Sequence, residues 1–364
     1  MTSAVDSSKP PGQKAGLRRF ILPAAFVGIL FGTLWSRQQP ANDSKPTAEP
    51  TGSGVVLGGE ALGTTWSVKS PEAVADLPGV VKALDEVLAD VDASMSTWRS
   101  DSELSQFNRS GTAPISVSAH LLEVLIASEA ISIASNGAFD VTVGPLVAAW
   151  GFGANKEDGP PSEKTLASLL ERVGYKLLSI SAETGTVTRL RTDVSADLSA
   201  IAKGHAVDRL AGVLAGAGLD NWMVEVGGEV RVSGKNADGR SWRLGIEKPV
   251  PGGRVVAYAV ELTSGALATS GDYRQFRMVD GQMVSHTIDP RTGKPVTHGP
   301  ASASVIAKDC MTADAWATAM MVLGPKGLEL ATAQGLAVLM LERRPDGTLE
   351  EHMNDAFRSY LVPR

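Results

Sequence analysis

Residues 201–246 read IAKGHAVDRLAGVLAGAGLDNWMVEVGGEVRVSGKNADGRSWRLGI. The first part repeats apolar residues at helical spacing, which predicts a helix over Ile201–Ala217 closed by Gly218. It then switches abruptly to alternation, predicting strands at Trp222–Val226, Glu229–Val232 and Trp242–Ile246. Asp238-Gly239 between two of these reads as a hairpin turn. A helix feeding a run of short antiparallel strands argues for an α+β fold with mixed or antiparallel sheets and packed helices, and against a doubly wound sheet.

The neighbouring segments extend the pattern. Thr64–Lys69 suits a strand, and Val80, Val81, Leu84, Val87, Leu88 and Val91 line one helical face. A second helix starts at a Ser118 N-cap and stops at Gly137, and further helices are expected at Ser162–Arg172 and Ala313–Leu323. Strands are expected at Val255–Leu262, Tyr273–Met278, Met283–Ile288, Ser302–Ile306 and Leu336–Leu341, with a second hairpin turn at Asp280-Gly281.

Composition narrows the function. The 34 basic and 40 acidic residues give a net charge of −6, and no Lys/Arg cluster follows residue 20, so no nucleic-acid partner is expected. Cys310 is the single cysteine, which excludes an intrachain disulfide and a cysteine-based metal centre. The five histidines show neither HxH nor HExxH spacing, so a metal, if bound, is expected to be a hard cation held by oxygen.

The N-terminus reads as targeting sequence. A polar, basic stretch ends in Arg18-Arg19 and is followed by the uncharged apolar run Phe20–Trp35. Residues 1–36 are therefore expected to be an export signal, with residues 20–35 serving either as its cleaved apolar core or as an inner-membrane anchor. The arginine pair fits both a twin-arginine signal and an ordinary basic region. Residues 37–54, rich in Pro, Ser, Thr and Gly, are expected to be a linker. The folded domain then occupies 55–364 and lies in the periplasm.

Four segments look unlike scaffold. Asn136-Gly-Ala-Phe-Asp140 could cup a ring or ribose, or simply cap a helix. Asp197-Leu-Ser-Ala-Ile-Ala-Lys203-Gly-His205 places a lysine at a helix start, where phosphate is favoured, although it lacks Walker spacing; a solvated charged helix start explains it equally. His205 itself reads as a satisfied helix residue. Asp289-Pro-Arg-Thr-Gly293 is a tight turn on structural grounds alone, but that turn does not need His286, whose ordinary pKa of about 6.5 suits a general base. Asp314 and Thr318 sit at i and i+4, so their oxygens share a helix face and could hold Mg²⁺, or Thr318 could bond back to its own helix. Each signal is weak alone; together they suit a nucleotide diphosphate.

In this order the segments resemble the ApbE family, the FAD:protein FMN transferases. The matching stretches are Leu62-Gly-Thr-Thr-Trp66, Met95-Ser-Thr-Trp98, Gly137-Ala-Phe-Asp140, Asp197 to Gly204, Val226-Gly-Gly-Glu229, Thr269 to Arg274, His286-Thr-Ile-Asp-Pro290 and Asp314-Ala-Trp-Ala-Thr318. The resemblance implies an exported enzyme of ApbE-like fold, with flavin in a cleft between two subdomains. It implies that Leu62, Trp98, Ala138, Phe139, Asp140, Asp197, Lys203 and Ile288 bind FAD. Ala200 through its carbonyl, Asp314, Ala317 and Thr318 would hold Mg²⁺. Leu62 stands where many members carry Met, and Ala317 where some carry Asp.

The implied reaction moves FMN from FAD to a Ser or Thr of a periplasmic or membrane redox subunit and releases AMP. His286 is the expected base, with Asp314 as its rival. Two other readings stay open on the sequence: an FAD pyrophosphatase using water, and a non-catalytic flavin carrier for a respiratory oxidoreductase.

Overall fold

Along the chain the first elements are β1 (Thr47–Thr51), β2 (Gly54–Ala61), β3 (Thr64–Ser70), α1 (Leu77–Met95), α2 (Glu103–Arg109), β4 (Ile115–Ser116), α3 (Ala119–Ala134), α4 (Gly144–Ala149) and α5 (Glu163–Leu170). Then follow β5 (Leu178–Ser181), β6 (Thr186–Arg189), α6 (Ala202–Gly216), β7 (Trp222–Val226), β8 (Glu229–Ser233), β9 (Trp242–Glu247), β10 (Val256–Leu262) and β11 (Ser264–Gly271). The last are β12 (Phe276–Val279), β13 (Gln282–Ser285), β14 (Pro300–Ala307), α7 (Cys310–Leu323), α8 (Leu328–Ala333), β15 (Ala337–Arg343), β16 (Leu349–Met353) and α9 (Asp355–Arg358). The computed structural model describes residues 47–51, 54–153, 160–250, 255–272, 276–279, 282–297, 300–344 and 346–363. The expected export segment, 1–36, lies outside the described residues, as do 37–46 and 52–53 of the expected linker.

One sheet runs β1-β2-β3-β7-β8-β11-β14-β15-β16, in chain order and antiparallel throughout, so the other elements are excursions from a meander. Both of its faces are covered. On one, α6 and α7 pack Val207, Leu210, Ala313 and Met320 against Val224, Ala266, Ala268 and Val305. On the other, the hairpin of β9 and β10 and the Phe357 ring of α9 bury Val232, Leu267, Ile306 and Leu339. Double coverage explains why β14 and β15 read as nearly continuous buried runs rather than alternating ones. Residues 96–200, between α1 and α6, carry the small sheet β4-β6-β5.

The fold is the expected α+β class, with local differences. Asp238-Gly239 does turn the chain, with Asn236 N–H donating to Arg240 carbonyl at 2.8 Å, but the strands it joins do not pair. β8 pairs with β7 and β11, whereas β9 leaves to pair with β10 on the other layer, where Trp242, Leu244 and Ile246 are buried. Part of the expected linker is a strand as well: Thr47–Thr51 lines the edge of β2, Thr47 opposite Gly58, with Pro50 tolerated at a sheet edge. Among the described residues no helix is long and apolar enough to cross a membrane.

Candidate active site

The register gathers the site at one end of the main sheet. β2 and β3 turn through Leu62-Gly63, and β7 and β8 through Gly227-Gly228, each a two-residue loop with both residues at positive φ. The tips are neighbours, since Gly227 N–H donates to Thr65 carbonyl at 2.9 Å. β11 ends and β14 begins at this same end, Gly271 opposite Ser302, so the long excursion bearing His286 hangs from it too. Leu62 adopts φ +53°, a conformation costly for a side chain with a Cβ, at the tip of the first hairpin.

Lys203 enters from the first turn of α6. Its Nζ lies 2.8 Å from Glu229 Oε1 and 3.6 Å from Asp314 Oδ1, in a setting where both carboxylate side chains are about 5% exposed or less. Asp314 is fixed from the other side by the Gly204 N–H, 3.0 Å from Oδ2. This bond exists because α6 and α7 approach without a side chain between them: a Cβ on Gly204 would sit 2.3 Å from the Cys310 carbonyl oxygen. Thr318, one turn beyond Asp314, holds its hydroxyl 3.2 Å from that of Ser270 on β11.

The electrostatics of this centre are unbalanced. One ammonium faces two buried carboxylates, a net charge of −1 when both are ionised, and Glu229 Oε2 is buried with no hydrogen-bond partner. Burial, opposed by Lys203 and reinforced by Asp314, raises the Glu229 pKa to about 7. Burial pulls the Lys203 pKa down, but the Asp314 and Glu229 charges outweigh it and leave it above the ordinary lysine value.

A second group of residues is organised around Asp197, six residues before Lys203 in the chain. The Asp197 N–H donates to the Val141 carbonyl at 2.6 Å, and its carboxylate accepts the Ser199 N–H at 2.9 Å. Asp140 is buried and accepts from the Thr142 N–H and hydroxyl (2.8 and 2.6 Å) and from the Tyr175 N–H (2.6 Å); burial outweighs these bonds and raises its pKa. Ala138 and Phe139 are buried just before it. Gly144 follows, where a Cβ would lie 3.4 Å from Asp197 Cβ, and α4 then packs Leu146 against Ile288. The turn after Ile288 seats on α4 by the Trp150 indole N–H, which donates to Gly293 carbonyl at 2.8 Å. His286 is half-buried, its ring 6.3 Å from Phe152 and edge-on to it.

The structure places Leu62, Lys203, Asp314 and Thr318 at the hairpin tips and the α6–α7 contact, and Ala138, Phe139, Asp140, Asp197 and Ile288 in the second group, which the stretch 197–203 joins to the first along the chain. Trp98 stands apart, 76% exposed on the segment after α1. Ala317 is fully buried in α7 and offers only a methyl group and a carbonyl inside the helical ladder. Ala200 lies just before α6, half-buried. Sequence reasoning gave Glu229 no role, although the Gly-Gly turn beside it marked a close approach: a Cβ on Gly227 would meet Thr64 at 2.9 Å and Lys203 Cδ at 3.3 Å.

An antiparallel meander with a lysine–dicarboxylate centre at the tips of two hairpins defines an α+β protein. Its sequence matches the ApbE family over residues 62–340. It is 40% identical over 312 residues to the FAD:protein FMN transferase of Vibrio cholerae, covering 84% of this chain and 92% of that one. The structure of the flavin transferase ApbE from Vibrio cholerae superposes with a TM-score of 0.77 at 40% identity, over 86% of this chain and all of that one. The apo flavinyl transferase ApbE of Pseudomonas stutzeri gives 0.76 at 32% identity, over 89% of this chain and all of the other. The chain belongs to the ApbE family.

Proposed function

We propose that this protein transfers the FMN half of FAD to a Ser or Thr hydroxyl of an acceptor protein and releases AMP. The relatives' activity supports the reaction class, and the observation that carries it here is Lys203, a partly exposed ammonium held by the buried carboxylates of Glu229 and Asp314. In this reading Leu62, Trp98, Ala138, Phe139, Asp140, Asp197 and Ile288 hold the dinucleotide, and the Lys203 ammonium faces its diphosphate.

A hard divalent cation fits this donor set. With both acids ionised the centre carries a net −1 and an orphaned carboxylate oxygen, so it lacks positive charge, and the nearby ligand atoms are all oxygen. Asp314, Thr318 and the Ala200 carbonyl would hold Mg²⁺, with Ala317 offering no side-chain ligand. When bound, the ion neutralises charge on the diphosphate oxygens.

The acceptor hydroxyl attacks the FMN-side phosphorus, a new P–O bond forms, and the bond to the AMP oxygen breaks. His286 takes the hydroxyl proton. Asp314 is the weaker candidate for that role, because one oxygen already accepts the Gly204 N–H and the other faces Lys203. Lys203 stabilises charge on the departing AMP phosphate. The acceptor is a periplasmic or membrane redox subunit, reached after export directed by residues 1–36.

Incubation with FAD, Mg²⁺ and an acceptor carrying a Ser/Thr flavinylation segment should yield a flavin-fluorescent band that survives denaturation. His286→Ala should retain FAD yet lose transfer, and Asp314→Ala should lose metal-dependent turnover. AMP release without a labelled band would establish a pyrophosphatase instead, and unimpaired transfer by His286→Ala would remove His286 from the mechanism.

A further inference from the structure

The opposite flank of α6 holds a cluster that the transfer reaction does not use. His205 faces α3, its ring 5.9 Å from that of His120 and tilted by 55°. His120 and Glu123 are three residues apart on α3, so both project from one helical face. One ligand atom from each of His120, Glu123 and His205 lies within 4.8 Å of the other two.

The tilted ring contact alone does not account for the arrangement. His205 is 1% exposed, and its Nε2 is buried without a hydrogen-bond partner; His120 Nδ1 is buried and equally unpartnered. Each such group costs about 1–3 kcal/mol unless something satisfies it. A divalent ion satisfies both nitrogens at once. Two imidazoles and a carboxylate are a borderline-soft donor set, suited to Zn²⁺ rather than to the all-oxygen shell of Mg²⁺.

We propose that His120, Glu123 and His205 form a second cation site, on the α3 side of α6, that takes a Zn²⁺-like ion and ties the two helices together. Tetrahedral coordination at Zn–N distances near 2.0–2.1 Å brings ligand atoms to roughly 3.3 Å of each other, so the ion draws in ligand atoms that already lie within 4.8 Å. Glu123 is exposed, leaving an entry path and room for water as fourth ligand. Burial, with Arg209 and His120 nearby, pushes the His205 pKa down to about 4, which keeps the imidazole in the neutral form that ligates metal. Arg209 opposes a cation, and Asp90, 3.4 Å from its guanidinium, offsets part of that charge.

The full chain, stripped with chelator and held in excess Mg²⁺ to occupy the Asp314 centre, is titrated with Zn²⁺ against a chromophoric competitor and separately with Co²⁺. The expected result is one Zn²⁺ equivalent and the visible absorption of four-coordinate Co²⁺. His120→Ala and Glu123→Gln, at partly and fully accessible positions, should each weaken Zn²⁺ binding by at least about tenfold. His352→Ala, in a half-buried group with Glu342 and Glu350 far along the chain, should leave it unchanged. Absence of stoichiometric binding, binding lost in His352→Ala, or binding kept at full strength in both His120→Ala and Glu123→Gln overturns the site.

Discussion

Gly204 is the position at which the smallest change should do the most damage. An added methyl would meet the Cys310 carbonyl oxygen at 2.3 Å, its carbon at 2.7 Å and Met311 Cα at 2.8 Å, all backbone atoms that no rotamer change can move. Restoring ordinary contact, 3.4 Å or more, means parting α6 from α7 by about 1 Å, since 3.4 − 2.3 = 1.1. The Gly204 N–H to Asp314 bond, 3.0 Å long, then stretches beyond hydrogen-bonding range, and Lys203 is drawn away from Asp314. Overpacking of this kind costs about 1–3 kcal/mol, and loss of the bond to a buried carboxylate adds about 1–3 more. Gly212, on the same helix, has nothing within 4 Å of its would-be Cβ, so Gly212→Ala should gain up to about 1 kcal/mol of helix propensity. Thermal and urea unfolding of the two variants should differ by about 2–7 kcal/mol, with transfer activity impaired only in Gly204→Ala. Equal stability of the two variants would refute the close helix contact.

Three further changes probe the centre and its rim. Glu229→Gln keeps an acceptor for Lys203 while removing a charge. Because the Glu229 pKa is raised from 4.5 to about 7, the folded state binds more protons than the unfolded chain between those values, and the wild type should lose stability as pH rises through that window. The variant's Tm should be flatter over the same range, and identical slopes would contradict the shift. Leu62→Gly releases a positive-φ strain of about 1–2 kcal/mol but loses partly buried side-chain contact, so stability should change by less than about 1 kcal/mol while the Kd for FAD rises about tenfold. Trp98→Ala, at a site 76% exposed, should shift stability by less than about 0.5 kcal/mol yet weaken FAD about tenfold by loss of a stacking surface; flavin fluorescence titration decides both.

The helix-to-strand switch in 201–246 was legible because its signals are local. β7 spans Trp222–Val226 as the alternation required, and Gly218 stops α6 at φ +80°. Where β9 pairs is not a local property: Trp242, Leu244 and Ile246 alternate as they would in either sheet, and only the apolar surface of Val232 and Leu267 decides between them. β11 was not legible because, Leu267 apart, Ser264–Gly271 is made of small residues with weak strand preference, suited to the close approach of α7 to Ala266 and Ala268. The site divides in the same way. Asp314 and Thr318 could be paired from helix periodicity, whereas Glu229 reads as an ordinary strand residue until the β7–β8 tip brings it against Lys203.

That placement assigns different work to the two acids. Glu229 makes the shorter contact with Lys203, 2.8 Å, and has its other oxygen buried, so it chiefly fixes where the ammonium points. Asp314 stands farther off, 3.6 Å from the same nitrogen, and is anchored by a backbone N–H whose position depends on two helices rather than on the lysine. A carboxylate oriented independently of Lys203 can engage a second positive partner without releasing the first. A single acid would have to choose between holding the lysine and holding a cation. Two acids sharing one lysine let the proposed centre present both positive charges to a diphosphate together, which is the arrangement that stabilising a departing phosphate requires.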